Sequence, residues 1–220
     1  MRASSTSRYP SWDRTRDRSS PRLAARGAVV DASSVEHLHR STWSIGFDAD
    51  PGCRPIVDAT RHILSTAGLT RLRSSEPDLL VVCSRGEAAR SRFERPSLFG
   101  TPHLAVVIDE DRVRTGPFVR PGLTPCVGCH DLHRTAWEPA WPALLHQFGR
   151  SSVAVGPTAL AAPTAHAAAV EIAVDILAVV DGQRPRTTGH CLLVGPQHDE
   201  RMTWSVPFHP GCSCDLLAAA

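Results

Sequence analysis

The sequence predicts an α/β fold, a Rossmann-like mixed sheet flanked by helices. Three observations point there. Short β-type runs alternate with helical patterns in the first half of the chain, later strands come in hairpin pairs, and one long alanine-rich helix carries a continuous apolar stripe. The 220 residues suffice for one domain with a real core plus a tail, and 42% hydrophobic content is ordinary for a globular protein.

Taken in order, residues 1–27 are rich in Ser and Arg and have no hydrophobic period. A disordered tail over 1–40 is expected, with an α/β domain over 41–215. Residues 43–47 form a short apolar run suited to a buried strand, and 48–55 form a turn-rich loop. Ile56, Val57, Ile63, Leu64 and Ala67 then follow helical spacing toward a C-cap at Gly68. A strand is expected at 79–83, a short helix at 85–95, and a strand at 103–108. Asp109, Glu110 and Asp111 turn that strand into an antiparallel partner at 113–118. A helix should begin near Pro139 or Pro142.

The clearest helix is 164–180, with a cap at Thr164. Ala165, Ala168, Ala169, Ile172, Ile176 and Val179 form its stripe, and Asp181-Gly182 ends it. Strands at 191–194 and 202–208 flank a turn and lead into His209-Pro-Gly-Cys-Ser-Cys. No apolar run reaches the ~18 residues of a membrane helix, so no membrane partner is expected.

Charge is unevenly placed. Residues 1–27 carry seven Arg against two Asp, while the remainder carries 17 Arg against 20 acids, a net of −3. A mildly acidic folded part argues against nucleic acid as a partner. There is no lysine, which removes the usual phosphate-binding and Schiff-base side chain.

Seven cysteines without an apolar signal core point to a cytoplasmic protein with reduced thiols. Cys126 and Cys129 are a C-x-x-C pair, and Cys212 and Cys214 a C-x-C pair. Four thiolates make a closed tetrahedral zinc site, structural because no position stays open for water. Gly128 permits the tight turn. The intervening 82 residues make sense if the metal ties 126–129 to the C-terminal segment, where a chain otherwise frays. Two rival readings stand beside it: a redox C-x-x-C, and two unrelated pairs without metal. The redox reading would need the motif to open a helix after a strand, whereas here it follows a Pro-rich loop. His130, His133 and His209 are close enough in sequence to act as ligands or as hydrogen-bond partners of ligands. Cys53, Cys83 and Cys191 lie in apolar surroundings and read as inert buried thiols.

Asp131, His133 and Arg134 admit two readings. One is a functional loop in which Asp131 orients His133. The other has Asp131 accepting amide hydrogen bonds beside the metal while Arg134 pairs locally. No nucleophile is visible beside them, so no catalytic residue is assigned. Trp137 and Trp141, four apart, should share a helical face in the core or an interface.

The stretches VRPGLTPCVGCHDLHRTAWEPAWPALLHQ (119–147) and WSVPFHPGCSCD (204–215) resemble the ubiquitin-activating-enzyme-like superfamily of ThiF/HesA/MoeB type. More narrowly, they resemble the actinobacterial cyclodehydratase-type proteins of azole-containing peptide (bacteriocin, RiPP) biosynthesis. The resemblance covers about 43–215. It implies zinc on Cys126, Cys129, Cys212 and Cys214. It also implies an ATP-binding adenylyltransferase fold and, in the azole branch, a partner role: presenting a precursor peptide to a YcaO-type cyclase, with homodimerisation also in the family's range. A winged-helix leader-binding element has no room before residue 40.

The chain departs from the family at the nucleotide-binding end. The phosphate loop should be glycine-rich, yet 48–55 reads DADPGCRP, with two Asp and two Pro. The strand PDLLVVCS should end in an acidic Mg²⁺ contact but ends in Cys83-Ser84-Arg85. Only some ten residues separate the first helix from that strand, where the active family has a further βα unit. The expectation is a zinc-stapled, non-catalytic partner or scaffold without ATP. The alternatives are an active adenylyltransferase holding phosphate through Arg54, Arg61 or Arg85, and a decayed, truncated family member without activity.

Overall fold

Residues 79–83 are apolar at every position, and the reason is that both sheet faces are covered. In the computed structural model, which describes residues 38–150, 160–197 and 200–214, β2 (Leu79–Arg85) turns Leu79, Val81 and Cys83 into one core and Leu80 and Val82 into the other. The sheet has six strands in sequence order. The others are β1 (Ile45–Ala49), β3 (His103–Asp109), β4 (Arg112–Val119), β5 (His190–Val194) and β6 (Arg201–Ser205). β1, β2 and β3 run parallel, and β3 through β6 pair antiparallel, so the sheet is mixed, as expected.

Helices α1 (Arg54–Thr66) and α5 (Ala162–Val180) cover one face. The predicted stripe of α5 is buried throughout, and its alanines let the helix approach both α1 and the sheet closely. α2 (Ser91–Leu98) and α3 (Val127–Trp137) cover the other face through Phe93, Ala88 and Val127; α4 (Trp141–Arg150) follows α3. Residues 1–37, and with them most of the expected tail, lie outside the described residues. Leu38 to Ser41 form a helical turn in which His39 bonds the carbonyl of Val180 and Arg40 pairs with Asp181.

The short link between α1 and β2 explains the topology. β1 and β2 are adjacent, yet α1 and α2 sit on opposite faces. Two right-handed crossovers moving the same way across a sheet would place both helices on one face. The chain resolves this at Arg71, which forms a parallel bridge to Ser44 on the outer side of β1, where Ile45 N–H donates to the Arg71 carbonyl. After α1 the chain thus touches the outer edge of β1 for one bridge, then crosses back to β2. The direction of winding reverses between β1 and β2, and the crevice outside their carboxyl ends is the topological switch point.

Several sequence expectations need correction. The turn after β2 extends to residue 90, so α2 begins at Ser91 and not at 85. Thr164 lies inside α5: Ala161 is the N-cap and Pro163 fills the first turn, where its missing N–H costs nothing. α5 is also long and apolar enough to cross a membrane, contrary to the reading of the sequence; here 61% of that stretch is buried within the domain. Its Glu171 pairs with Arg186 and Arg201, and its Asp175 accepts from Thr187.

His103, at the start of β3, is buried beside Phe93, and burial lowers its pKa to about 4. The folded state thus prefers the neutral ring, so stability present above the unfolded value near 6.5 is lost as pH falls toward 4. A His103→Phe variant should remove up to about 3 kcal/mol of this pH dependence, read from urea midpoints at pH 7 and pH 4.

Candidate metal centre and switch-point crevice

Cys126 is the N-cap of α3 and Cys129 lies in its first turn. The C-x-x-C pair therefore does open a helix after a strand, correcting the expectation of an irregular loop. The geometric objection to a redox pair falls with it. What separates the site from a dithiol is the arrival of two more sulfurs. The segment after β6 makes a turn closed by Cys212 N–H to the His209 carbonyl, and this brings Cys212 and Cys214 against α3. Cys126 Sγ lies 3.6 Å from Cys212 Sγ, and Cys129 Sγ lies 3.5 Å from Cys214 Sγ. All four sulfurs fall within 4.8 Å of one another, and the group can hold a metal ion.

These distances fit zinc. A tetrahedron with Zn–S bonds of ~2.3 Å has edges of ~3.8 Å, close to the spacing found. The pairs are far beyond the ~2 Å of a covalent S–S bond. A Cβ on Gly128 would sit 3.3 Å from Cys126 Sγ and 3.6 Å from Cys212 Sγ, so the glycine leaves the sulfurs their space. Burial opposes a thiolate at Cys129, but the His209 and Cys126 backbones and the neighbouring thiols hold its pKa below the usual value. Cys126 is pushed up to about 12, by burial first and then by its neighbouring cysteines, and Cys214 is raised for the same reasons. A metal would have to displace those protons, which ties occupancy to pH.

None of the nearby histidines points a ring nitrogen at the sulfurs. His133 Nε2 contacts the Pro207 carbonyl, and its ring meets His209 edge-on. His209 Nδ1 accepts the Gly211 N–H, and His130 is buried beside Asp131 and Trp141. The three remaining cysteines are buried, as expected. Cys191 packs with Cys129 and Val206 beneath the cluster, and burial pushes its thiol up to about 11. Cys83 is raised by the adjoining Cys53 thiol and by burial. High pKa values make both thiols poor nucleophiles.

Behind the knuckle lies a charge network that sequence reasoning missed. Asp131 accepts a bidentate pair from Arg90 at 2.6 Å and the Trp141 indole N–H at 3.1 Å, not backbone amides as expected. Arg90 also reaches Glu87, and Glu87 accepts from the buried Arg114 at 2.6 Å. Burial opposes the Asp131 charge, but His130 and Arg90 hold its pKa at about 2. Arg134 pairs with Glu138, in line with the local reading, and stacks 3.6 Å over Trp141. Trp137 and Trp141 do not share a face. Glu138 breaks the helix between them, leaving Trp141 2% exposed and Trp137 76% exposed. The available signal for the network was Arg114, a charge in the middle of an apolar strand.

At the carboxyl ends of β1 and β2, the protein's own charged side chains meet one another. Asp50 accepts the Arg85 backbone N–H, and its own N–H donates to the Cys83 carbonyl. Arg92 pairs with Asp48 at 2.8 Å and Asp50 at 3.0 Å and donates to the Asp48 carbonyl. The Arg85 side chain lies over Gly52, 2.3 Å from where a Cβ would stand. The loop's one glycine thus receives a side chain of the protein. Arg54 points to solvent, 83% exposed and paired with Asp58. Arg61 sits over Phe47 and shares Asp58 with Arg54.

With this geometry in view, the fold matches solved structures. E. coli MccB, solved together with MccA, aligns with a TM-score of 0.57 at 13% identity, covering 82% of this chain and 68% of MccB. The same MccB solved with ATP gives 0.54 at 15% identity. The heterocyclase TruD gives 0.57 at 18% identity over 82% of this chain; only 28% of TruD is covered. At such identities the likeness is one of fold. No family model and no curated protein matches the sequence.

Removing Asp131 leaves Arg90 only Glu87, which Arg114 shares, and leaves the Trp141 indole N–H without its acceptor. An Asp131→Ala variant should lose about 1–3 kcal/mol of unfolding free energy. The check is chemical denaturation beside Arg54→Ala, which should change stability little.

Proposed function

We propose that this chain is a zinc-stapled, non-catalytic partner in peptide-modifying biosynthesis of the azole-forming, bacteriocin type. In this reading it works in the cytoplasm, on a YcaO-type cyclase or its precursor peptide. The observation that carries the proposal is the switch-point crevice, where Asp48, Arg92 and Asp50 stand in the place a phosphate would need. Two carboxylates there repel phosphate, and the prolines beside them offer no N–H donors. The fold likeness to MccB, solved with both ATP and MccA, and to a heterocyclase supports the biosynthetic setting.

In this reading Cys126, Cys129, Cys212 and Cys214 hold the zinc. Bound there, zinc supplies a crosslink with no open coordination position. The protein's residues do the rest. α3 orients two thiols, the His209 N–H stabilises Cys129, and the Arg90–Asp131 pair fixes the helix that carries them.

Metal analysis of the purified protein should give one zinc per chain, and Cys129→Ser should release it. Calorimetry should show no ATP binding at millimolar nucleotide. Tight ATP binding with pyrophosphate release in the presence of a peptide would overturn the non-catalytic assignment; metal-free protein with full stability would overturn the staple.

A further inference from the structure

At the opposite end of the parallel strands from the crevice, three arginines share one concave surface. Arg61 from α1 and Arg71 and Arg73 from the link to β2 line a cleft of about 650 Å³, with His62, Ser65 and Ser74. In a folded part that is otherwise mildly acidic, this is a local concentration of positive charge. It is weakly compensated. Asp58 stands 3.8 Å from Arg61 and is shared with Arg54, and Arg71 donates to the Thr42 carbonyl. Arg73 has no ion-pair partner among the described residues, and the Arg61 Nε is buried without an acceptor. Burial and the nearby Arg73 cation lower the Arg61 pKa, and the Asp58 carboxylate offsets this only in part.

The cleft adjoins a sheet edge that the described residues leave open. β1 is the first strand of the sheet, and along its outer side the described residues offer the single bridge at Arg71. Ser44 and Asp50, which flank β1, bond β2 or its flanks, so by alternation the backbone groups of Gly46 and Asp48 face inward. By strand alternation, Ile45, Phe47 and Ala49 face outward. Ile45 is satisfied by Arg71, so the ladder that begins at Arg71 stops just where Phe47 and Ala49 could continue it. The Arg61 guanidinium lies 4.8 Å from the Phe47 ring, directly above that edge.

We propose that the outer edge of β1 and the arginine cleft together bind an acidic peptide segment, added to the sheet as an extended strand. The backbone of the peptide would pair with Phe47 and Ala49, and its carboxylates would meet Arg61, Arg71 and Arg73. Strand addition supplies affinity through main-chain hydrogen bonds, and the flanking cations select side chains by charge. The inference deepens the reading of this chain as a peptide-handling partner and rests on it for the class of ligand.

The test is fluorescence anisotropy on the full chain at low salt. The probe is a labelled decapeptide of alternating Glu and Thr, compared with a Lys–Thr decapeptide and with a Glu–Thr peptide N-methylated at alternate residues. The Glu–Thr probe should bind. It should weaken by about tenfold or more with Arg61→Ala/Arg73→Ala, and similarly on N-methylation, which alters the peptide and leaves the protein intact. Arg112→Ala, which removes an arginine paired with Glu200 outside the cleft, should leave binding unchanged. Equal binding of the Lys–Thr probe, or indifference to the double substitution, overturns the proposal. Indifference to N-methylation together with displacement by millimolar inorganic phosphate reduces the cleft to a simple anion site and also overturns it. Zinc-loaded protein that binds no ATP and no acidic probe would reject this inference alone; the metal and nucleotide measurements decide the earlier reading separately.

Discussion

Four sulfur atoms from segments 82 residues apart occupy one small cluster, and much of this molecule is arranged to bring them there. β4 delivers the chain to Cys126, α3 begins on it, and β6 carries the chain back to the same end of the sheet. Thiols this close suit a tetrahedral ligand set, and a cation among them would have to displace the protons that burial favours on Cys126 and Cys214. Val206, Cys191 and Trp204 close the space around them, so the cluster joins the hydrophobic core to the segment after β6.

The second organising element is electrostatic. Arg114 and Glu87 are buried against each other, Arg90 links Glu87 to Asp131, and Asp131 fixes Trp141. Each charge has a partner, the condition under which buried ions are tolerated. The chain of contacts runs from the middle of β4, through the turn after β2, to the helix bearing the knuckle. It holds α3 on the sheet close to the cysteine cluster: Arg90 and Asp131 line one cavity with Cys126 and Gly128.

At the switch point, a doubly wound sheet ordinarily leaves a crevice into which helix and loop amides point. Here Asp50 takes one of those amides and Arg92 bridges the two aspartates. The single bridge at Arg71 marks how far the chain extends on the outer side of β1 before turning back. The same link places Arg71 and Arg73 beside Arg61.

Much of this was legible in the sequence. Period-two and helical patterns located the strands and the stripe of α5, because burial on a face imposes its own period. The spacing of Cys126, Cys129, Cys212 and Cys214 singled out the cluster, because thiols at such intervals have few other uses in a reduced chain. The composition of 48–55, with two Asp and two Pro, singled out the loop that lies at the switch point. Tertiary structure alone decided the rest. α3 was unreadable because its polar face, Asp131 and Arg134, is fixed by partners distant in sequence. Arg90, Arg92 and Arg114 look like any other arginines until folding chooses their carboxylates. An ion pair leaves no period along the chain: its energy depends on distance and burial, and both are set only when separate elements meet.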